Sequence, residues 1–201
     1  MISALHAQRL EAVEAQLAAA GVRTLVDLGC GDGALVARLA EWSAIARIIA
    51  VEPVPARLAA LHHRLAALST AAAAKVEPIA AELTDPAAAR AGLDAAVLVE
   101  TLEHLAPERL GAVERAVFAR MAPRLVVVTT PNADFNELLG VPGHRRRHPE
   151  HRFEWGRARL ARWVEGVARR HGYAGERRDL AATHPAYGGP TQMAVFTRGG
   201  A

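Results

Sequence analysis

The chain has 201 residues, of which 51% are apolar and 22% charged, and its net charge at pH 7 is +3. This length and composition allow one globular domain with a sizeable core, and we predict a single domain over residues 1–201. Cys30 is the single cysteine, which excludes an internal disulfide. The sequence has no long uncharged apolar run and no signal-peptide pattern at its start, so we expect a cytoplasmic protein that does not act at a membrane.

Strands and helices alternate along the first two thirds of the sequence, as judged from apolar spacing and from glycine and proline positions. The predicted elements are helix Leu5–Ala20, strand Thr24–Leu28, helix Ala34–Trp42, strand Arg47–Val51, helix Pro55–Ala74, strand Val76–Ile79, strand Ala95–Val99, helix Leu110–Met121, strand Leu125–Thr130, helix Arg157–His171 and strand Met193–Thr197. This alternation predicts an α/β fold with a doubly wound, mostly parallel sheet. The last strand is expected to run antiparallel at the far side of that sheet.

A long irregular segment follows the predicted fifth strand. The stretch from Asn132 to Glu150 contains Pro142, Gly143 and a basic run over residues 144–148. Loops of this length are usually functional or disordered. We therefore treat this segment as a candidate part of a binding site.

A glycine-rich turn joins the first predicted strand of the sheet to the following helix. It lies within Val26–Gly33 and has the spacing G-x-G-x-G from Gly29. This spacing differs from the G-x-G-x-x-G of dinucleotide enzymes, which argues against a nicotinamide or flavin cofactor. Glu52, at the end of the second strand, is placed to accept hydrogen bonds from ribose hydroxyls. The turn predicts a nucleotide-like cofactor; the alternative is a tight turn with no ligand.

Acidic and imidazole side chains cluster in two segments. Glu100, Glu103 and His104 follow the fourth strand, and on a helix these positions share one face, so their side chains can converge. By themselves they leave a metal site open, because a Glu–His pair at this place also occurs in enzymes without a metal. His151, in the second segment, completes a set of two carboxylates and two imidazoles. Such a set suits an octahedral divalent cation.

Four stretches together resemble one enzyme family. They are Val26–Gly33, Val99–Leu105, Val127–Asn136 and His151–Trp155. The first resembles the S-adenosylmethionine (SAM)-binding turn of Rossmann-like methyltransferases. The set resembles the small-RNA 3′-terminal 2′-O-methyltransferases, which modify plant microRNAs, animal piwi-interacting RNAs and tRNA ends during bacterial RNA repair. Glu150 stands where this family usually has Asp, and Gly156 where it has Thr or Ser.

The resemblance implies a Rossmann-like class I SAM-dependent methyltransferase domain that covers the chain. It implies that SAM is contacted by Asp27, Gly29, Gly31, Ala34, Glu52 and Glu82. Of these, Asp27, Gly29 and Gly31 would surround the methionine part, and Glu52 would hold the ribose. The family's Gly and Ser beside position 82 are absent here, because the segment reads Glu82-Leu83-Thr84.

The resemblance further implies one divalent cation bound by Glu100, Glu103, His104 and His151. The nitrogen ligands favour Mn²⁺, with Mg²⁺ or Co²⁺ as alternatives. A terminal ribose has adjacent 2′- and 3′-hydroxyls, so such an ion selects the RNA 3′ end and activates the 2′-hydroxyl. His104, Glu100 and Glu103 are the predicted catalytic residues, one of them acting as general base.

A basic group of side chains surrounds the predicted metal-binding segments. Contacts to RNA phosphates are predicted for Arg145, Arg146, Arg147 and Arg152, with Arg157 and Arg159 close by. The alternative is a solvated basic surface. Phe135 and Phe153 are candidates to stack on the terminal base, whereas for Trp155 a place in the core is favoured.

The predicted partners are the 3′ end of a single-stranded RNA and a kinase–phosphatase–ligase RNA repair protein. Two rival functions remain: a metal-independent SAM methyltransferase acting on a small molecule, and a non-catalytic RNA-binding subunit. Bacterial members of the resembled family often carry an extra N-terminal region that this chain lacks. The chain is therefore expected to be either an excised catalytic domain or a naturally short member.

Overall fold

The structure is a computed structural model that describes residues 4–88, 90–181 and 183–199. A seven-stranded sheet forms its centre, in the order β3-β2-β1-β4-β5-β7-β6. The strands are β1 (Thr24–Leu28), β2 (Arg47–Val51), β3 (Val76–Ile79), β4 (Ala95–Val99), β5 (Leu125–Pro131), β6 (Ala174–Leu180) and β7 (Thr191–Thr197). β1 to β5 pair in parallel, β7 is antiparallel to β5, and β6 is antiparallel to β7.

Helices cover both faces of this sheet. They are α1 (Ala4–Ala19), α2 (Ala34–Ala40), α3 (Pro55–Ala66), α4 (Thr70–Ala73), α5 (Leu110–Glu114) and α6 (Arg157–His171). A π-helical stretch, Arg115–Met121, extends α5. Short 3₁₀ turns lie at Leu102–His104, Pro107–Arg109, Ala133–Phe135 and Glu137–Leu139. Within the part of the chain that is described, no helix is long and apolar enough to cross a membrane.

Two hydrophobic cores lie on opposite faces of the sheet. On one face, Leu10, Leu35 and Leu61 from the first three helices pack against the strands. On the other, Phe118 and Val164 from the later helices do so. The central strands are buried on both faces, which explains their nearly continuous apolar sequences.

The predicted doubly wound, mostly parallel sheet is confirmed, with three differences. The strand Ala174–Leu180 was not predicted, because it is an edge strand rich in charged residues and only partly covered. The last strand is antiparallel, as predicted, but it lies between β5 and this edge strand rather than at the far side. The predicted helix Pro55–Ala74 is interrupted at Ser69, whose side chain accepts a hydrogen bond from Ala72 N and caps α4.

The carboxyl ends of the parallel strands meet at one edge of the sheet, where ligands of such folds usually bind. The segments after β1, β2 and β4 all reach this edge. The long irregular segment after β5 returns to it through Asn132, which forms a bridge with Trp155. Residues that are far apart in sequence are thereby brought together.

Candidate active site

The glycine turn after β1 opens onto a cleft of about 980 Å³. Gly29 has a φ of 80°, and a Cβ at this position would lie 2.6 Å from Thr101 Cγ2, so a side chain does not fit there. Gly31 has a φ of 59°, and its missing Cβ would meet nothing within 4 Å. The turn is therefore strained for other residues and leaves the backbone accessible to a ligand.

Two buried carboxylates lie below this turn. Both oxygens of Glu52 accept backbone hydrogen bonds, from Gly31 N at 3.0 Å and from Val54 N at 2.9 Å. Asp27 Oδ1 is buried and has no hydrogen-bond partner among the residues described. Burial, together with the charge of Glu52, raises the pKa of Asp27 to about 7. A ligand with an ammonium group or a hydroxyl would supply the missing donor.

The six predicted cofactor residues line the same cleft. They are Asp27, Gly29, Gly31, Ala34, Glu52 and Glu82. Ala34 begins α2, and its amide already donates to Asp32 Oδ1 at 3.2 Å. Glu82 lies exposed at the rim, where it forms an ion pair with Arg109 at 3.1 Å. The structure thus brings the six positions together, with Glu82 the most peripheral of them.

Glu103, His104 and His151 form a group whose ligand atoms all lie within 4.8 Å of one another. Glu103 is fully buried; its Oε2 accepts a hydrogen bond from Thr130 Oγ1 at 3.1 Å, and its Oε1 has no partner in the described structure. Burial and the nearby charge of Glu100 raise the pKa of Glu103 well above its ordinary value. A buried carboxylate oxygen beside two imidazoles fits a divalent cation with mixed oxygen and nitrogen ligands.

Glu100 was predicted to share a helical face with Glu103 and His104, and that prediction is wrong. Glu100 has a φ of 52° in the turn that leaves β4, and its amide donates to Thr129 O at 3.0 Å. Its Oε2 forms an ion pair with Arg9 of α1 at 3.0 Å, so it lies outside the three-residue group. Its Oε1 is buried, and among the described residues it has no hydrogen-bond partner. Glu100 still lines the cleft, together with Thr101 and His104.

The two imidazoles of the group differ in their surroundings. The rings of His104 and His151 lie 4.9 Å apart, and burial together with His151 lowers the pKa of His104, which favours the neutral form. His151 is buried and its Nδ1 lies 2.5 Å from Glu154 Oε1. Burial raises the pKa of Glu154, but hydrogen bonds from Asn136, His151 and its other neighbours outweigh burial and leave this pKa below its usual value.

The four arginines predicted to contact RNA occupy different positions. Arg146 and Arg152 line the cleft beside His151, whereas Arg145 lines a neighbouring groove. Arg147 is half-buried, and its guanidinium donates to the carbonyl oxygens of Asn132 and Pro190. We therefore correct its predicted role, because these groups within the protein occupy the guanidinium.

The three aromatic residues considered for base stacking also lie in different surroundings. Trp155 is buried in the core, as predicted, and its ring stacks on that of Phe153 at 4.7 Å. Phe153 lines the groove beside Arg145. Phe135 ends the short 3₁₀ turn after Asn132 and is half-buried. A stacking role stays a prediction for Phe135 and Phe153.

Comparison with known proteins gives the family. A sequence family model described as a methyltransferase domain matches residues 25–124. The solved methyltransferase domain of bacterial CtHen1 is 32% identical, with a TM-score of 0.87 over 98% of this chain and 100% of that one. The chain belongs to the small-RNA 2′-O-methyltransferase family. Membership confirms the predicted family and the Rossmann-like SAM-dependent methyltransferase fold, and it supports SAM as the cofactor.

The curated family members are longer than this chain. The small RNA 2′-O-methyltransferase of Gallus gallus is 33% identical over 86% of this chain and 47% of its own length. That of Mus musculus is 31% identical over 98% of this chain and 51% of its own length. The chain therefore spans about half the length of these relatives.

Three residues of the site were not foreseen from the sequence. Thr130 and Glu154 bind two members of the three-residue group, and Arg9 binds Glu100. Glu154 lies three positions after His151, a spacing that indicates a possible contact only once the local backbone is known. Arg9 gives no signal at all in the sequence, because its helix precedes the sheet and meets the site only through the fold.

Proposed function

We propose that this chain transfers the methyl group of SAM to the 2′-hydroxyl of the 3′-terminal nucleotide of an RNA. One observation carries the proposal: the glycine turn lines the same cleft as His104 and His151, the two imidazoles that form a group with the buried Glu103. Methyl transfer needs donor and acceptor in line within a single cavity. Family membership supplies the class of acceptor, since the curated relatives are named for small RNA 2′-O-methylation.

We also propose that the group holds a divalent cation, Mn²⁺ before Mg²⁺ or Co²⁺. The unpartnered Oε1 atoms of Glu103 and Glu100 support this, because a buried carboxylate oxygen without a donor is costly unless a cation offsets it. Glu103, His104 and His151 would hold the ion, whereas Glu100 lines the same cleft and is paired with Arg9. When bound, such an ion lowers the pKa of a coordinated hydroxyl.

Different residues of the chain would bind SAM and accept the proton of the 2′-hydroxyl. The cleft side of the glycine turn orients SAM, and the unpartnered Asp27 Oδ1 offers an acceptor to its methionine part. The 2′-oxygen of the ribose forms a bond to the methyl carbon, the carbon–sulfur bond breaks, and its electron pair stays on sulfur, which leaves S-adenosylhomocysteine. The hydroxyl proton passes to a base on the protein, for which neutral His104 and the carboxylates of Glu100 and Glu103 are the candidates.

The terminal selectivity follows from ribose chemistry. A 3′-terminal ribose offers two adjacent hydroxyls to the group, whereas an internal ribose has its 3′-oxygen esterified. Arg146 and Arg152 flank the cleft and are exposed, and although Arg146 Nη1 donates to His151 O at 3.1 Å, both guanidinium groups can reach the phosphates of the preceding nucleotides. We therefore expect the strand to enter past these two arginines with its end directed at His151.

The test is methyl transfer from labelled SAM to a short single-stranded RNA, with Mn²⁺ or with EDTA. A matched RNA whose terminal ribose lacks the 3′-hydroxyl is the control. Transfer that requires both the metal and the diol is the expected result. Transfer that is indifferent to both would instead favour the small-molecule methyltransferase, and a salt-sensitive RNA complex without turnover would favour a non-catalytic RNA-binding subunit.

Cleaved tRNA as substrate, a kinase–phosphatase–ligase partner and a cytoplasmic location stay predictions. A protein in a solved Pnkp1/Rnl/Hen1 RNA repair complex shares the fold, at 18% identity and a TM-score of 0.70 over 98% of this chain and 42% of that one. That likeness concerns the fold alone. Competition between a 3′-cleaved tRNA and an unrelated RNA of equal length would reveal a substrate preference.

A further inference from the structure

A second layer of polar groups, formed by Glu154, Asn136 and Arg147, contacts the Nδ1 side of His151. Glu154 Oε1 lies 2.5 Å from His151 Nδ1, and the side chains of His151 and Glu154 are 8% and 3% exposed. The same oxygen also accepts the backbone amide of Arg147 at 2.7 Å, and Glu154 Oε2 accepts Asn136 Nδ2 at 2.7 Å. Both oxygens of this carboxylate thus have donors.

The orientation of Asn136 is fixed from its other end. Arg147 Nε donates to Asn136 Oδ1 at 2.5 Å, so the amide nitrogen of Asn136 must face Glu154. The rest of the Arg147 guanidinium donates to the backbone carbonyl oxygens of Asn132, after β5, and of Pro190, before β7. The layer is therefore anchored to the ends of two adjacent strands of the sheet.

A neutral imidazole carries its proton on one nitrogen, and a fixed acceptor decides which one. With Glu154 accepting from Nδ1, the proton is on Nδ1 and the lone pair is on Nε2. That nitrogen is the one left to act with Glu103 and His104 as a ligand atom. A ring that rotated or changed tautomer would present an N–H to the cation instead.

We propose that Glu154 is a positioning residue that keeps His151 in the Nδ1–H tautomer, and that Asn136 and Arg147 hold Glu154 in place for this purpose. The role as a metal support rests on the proposed function, because it assumes that His151 binds the cation. The tautomer itself does not rest on it, since it follows from the contact between His151 Nδ1 and the Glu154 carboxylate. The inference also gives Arg147 a structural task in place of the RNA contact predicted for it.

The test compares wild type with Glu154→Leu, Glu154→Gln and the control Glu137→Gln. Glu137 is an exposed glutamate in the irregular segment after β5, and its Oε2 accepts a hydrogen bond from Tyr187 Oη at 3.2 Å. Two-bond ¹H–¹⁵N spectra of the metal-free proteins in mildly alkaline buffer report the His151 tautomer. Calorimetric titration with MnCl₂ alone reports cation affinity, and circular dichroism reports folding.

We expect the Nδ1–H signature in wild type and Glu137→Gln, and its loss in Glu154→Leu with Mn²⁺ affinity about 10- to 100-fold weaker. Glu154→Gln keeps an acceptor oxygen and should retain the signature, with an intermediate affinity. An Nε2–H tautomer in wild type overturns the inference, as does a folded Glu154→Leu with the wild-type tautomer. If Glu154→Leu does not fold, the wild-type spectrum and Glu154→Gln still decide. A wild type that keeps the Nδ1–H signature but binds no Mn²⁺ would refute the proposed cation and leave the tautomer assignment supported.

Discussion

Asp27→Asn is expected to stabilise the cofactor-free protein, and to do so more at higher pH. Asp27 is 2% exposed, and burial together with Glu52 raises its pKa from the ordinary 3.8 to about 7. The raised pKa belongs to the folded state. Between pH 3.8 and about pH 7, the folded protein therefore keeps a proton on Asp27 that the unfolded chain has released. Stability therefore falls as the pH rises through this window, and an asparagine does not titrate.

The magnitude follows from the two pKa values. One pKa unit corresponds to about 1.4 kcal/mol, so the ionised Asp27 lowers the free energy of unfolding by about 4 kcal/mol at about pH 8. At about pH 5.5 the native carboxyl is protonated, and the cost is about 2 kcal/mol. The stabilisation by Asp27→Asn should thus be larger by about 2 kcal/mol at the higher pH.

Urea unfolding of wild type and variant at both pH values, without SAM, measures this difference. Glu41→Gln, which removes an exposed carboxylate after α2, is the control for loss of one negative charge. The same stability difference at both pH values would refute the reasoning. Asp27→Asn should also weaken SAM binding, because it changes an acceptor that the buried turn leaves for the ligand.

Three further substitutions test other parts of the site. Gly29→Ala should lower the free energy of unfolding by at least about 1–2 kcal/mol, because φ is 80° at this position and an added Cβ would lie 2.6 Å from Thr101. It should also weaken SAM binding. Urea unfolding measures the first effect and calorimetric titration with SAM measures the second. Thr130→Val removes the hydrogen bond to Glu103 Oε2 and should weaken Mn²⁺ binding about tenfold in a titration. Arg146→Ala should reduce the slope of log K for RNA binding against log salt by about one, as measured by fluorescence anisotropy.

The glycine and arginine substitutions each have a control on the same chain. Gly143→Ala places a methyl where nothing lies within 4 Å and should leave stability almost unchanged. Arg169→Ala removes an equal charge from the last turn of α6 and should leave the salt slope as it is. A stable Gly29→Ala protein, unaltered Mn²⁺ binding in Thr130→Val, or equal slopes for the two arginine variants would contradict the corresponding prediction.

The parallel part of the fold was predicted well, because buried parallel strands have continuous apolar sequences. The strand Leu125–Pro131 is buried along its whole length and was predicted to within one residue. β6 lacks that signal: its backbone pairs with β7, but its charged side chains are exposed or only partly covered, so its sequence resembles a loop. The helix predicted over Pro55–Ala74 is divided in two, and the Ser69 cap at the start of the second part is a local contact that composition does not reveal.

The predicted site positions were chosen by motif, and the fold explains why the motif alone was insufficient. Glu100 and Glu103 lie three residues apart, but a positive φ at Glu100 turns its side chain towards α1 instead of along a helix. The basic run looked uniform in sequence, yet Arg147 turns inwards while Arg146 lines the cleft. Which member of a charged run is buried depends on carbonyl groups supplied by distant strands, and local sequence does not contain that information.

Contacts between distant parts of the chain also bring His151 to Glu103. The amide of Arg152 donates to Glu103 O at 2.7 Å, which joins the two halves of the group through the backbone. At the other end of the segment, Trp155 O accepts from Ala133 N at 3.1 Å and from Gln192 Nε2 at 2.7 Å. A segment that is hydrogen-bonded to the rest of the fold at both ends loses its conformational entropy during folding. The group is therefore preorganised, so the free energy of binding a cation or a ribose is not spent on assembling it.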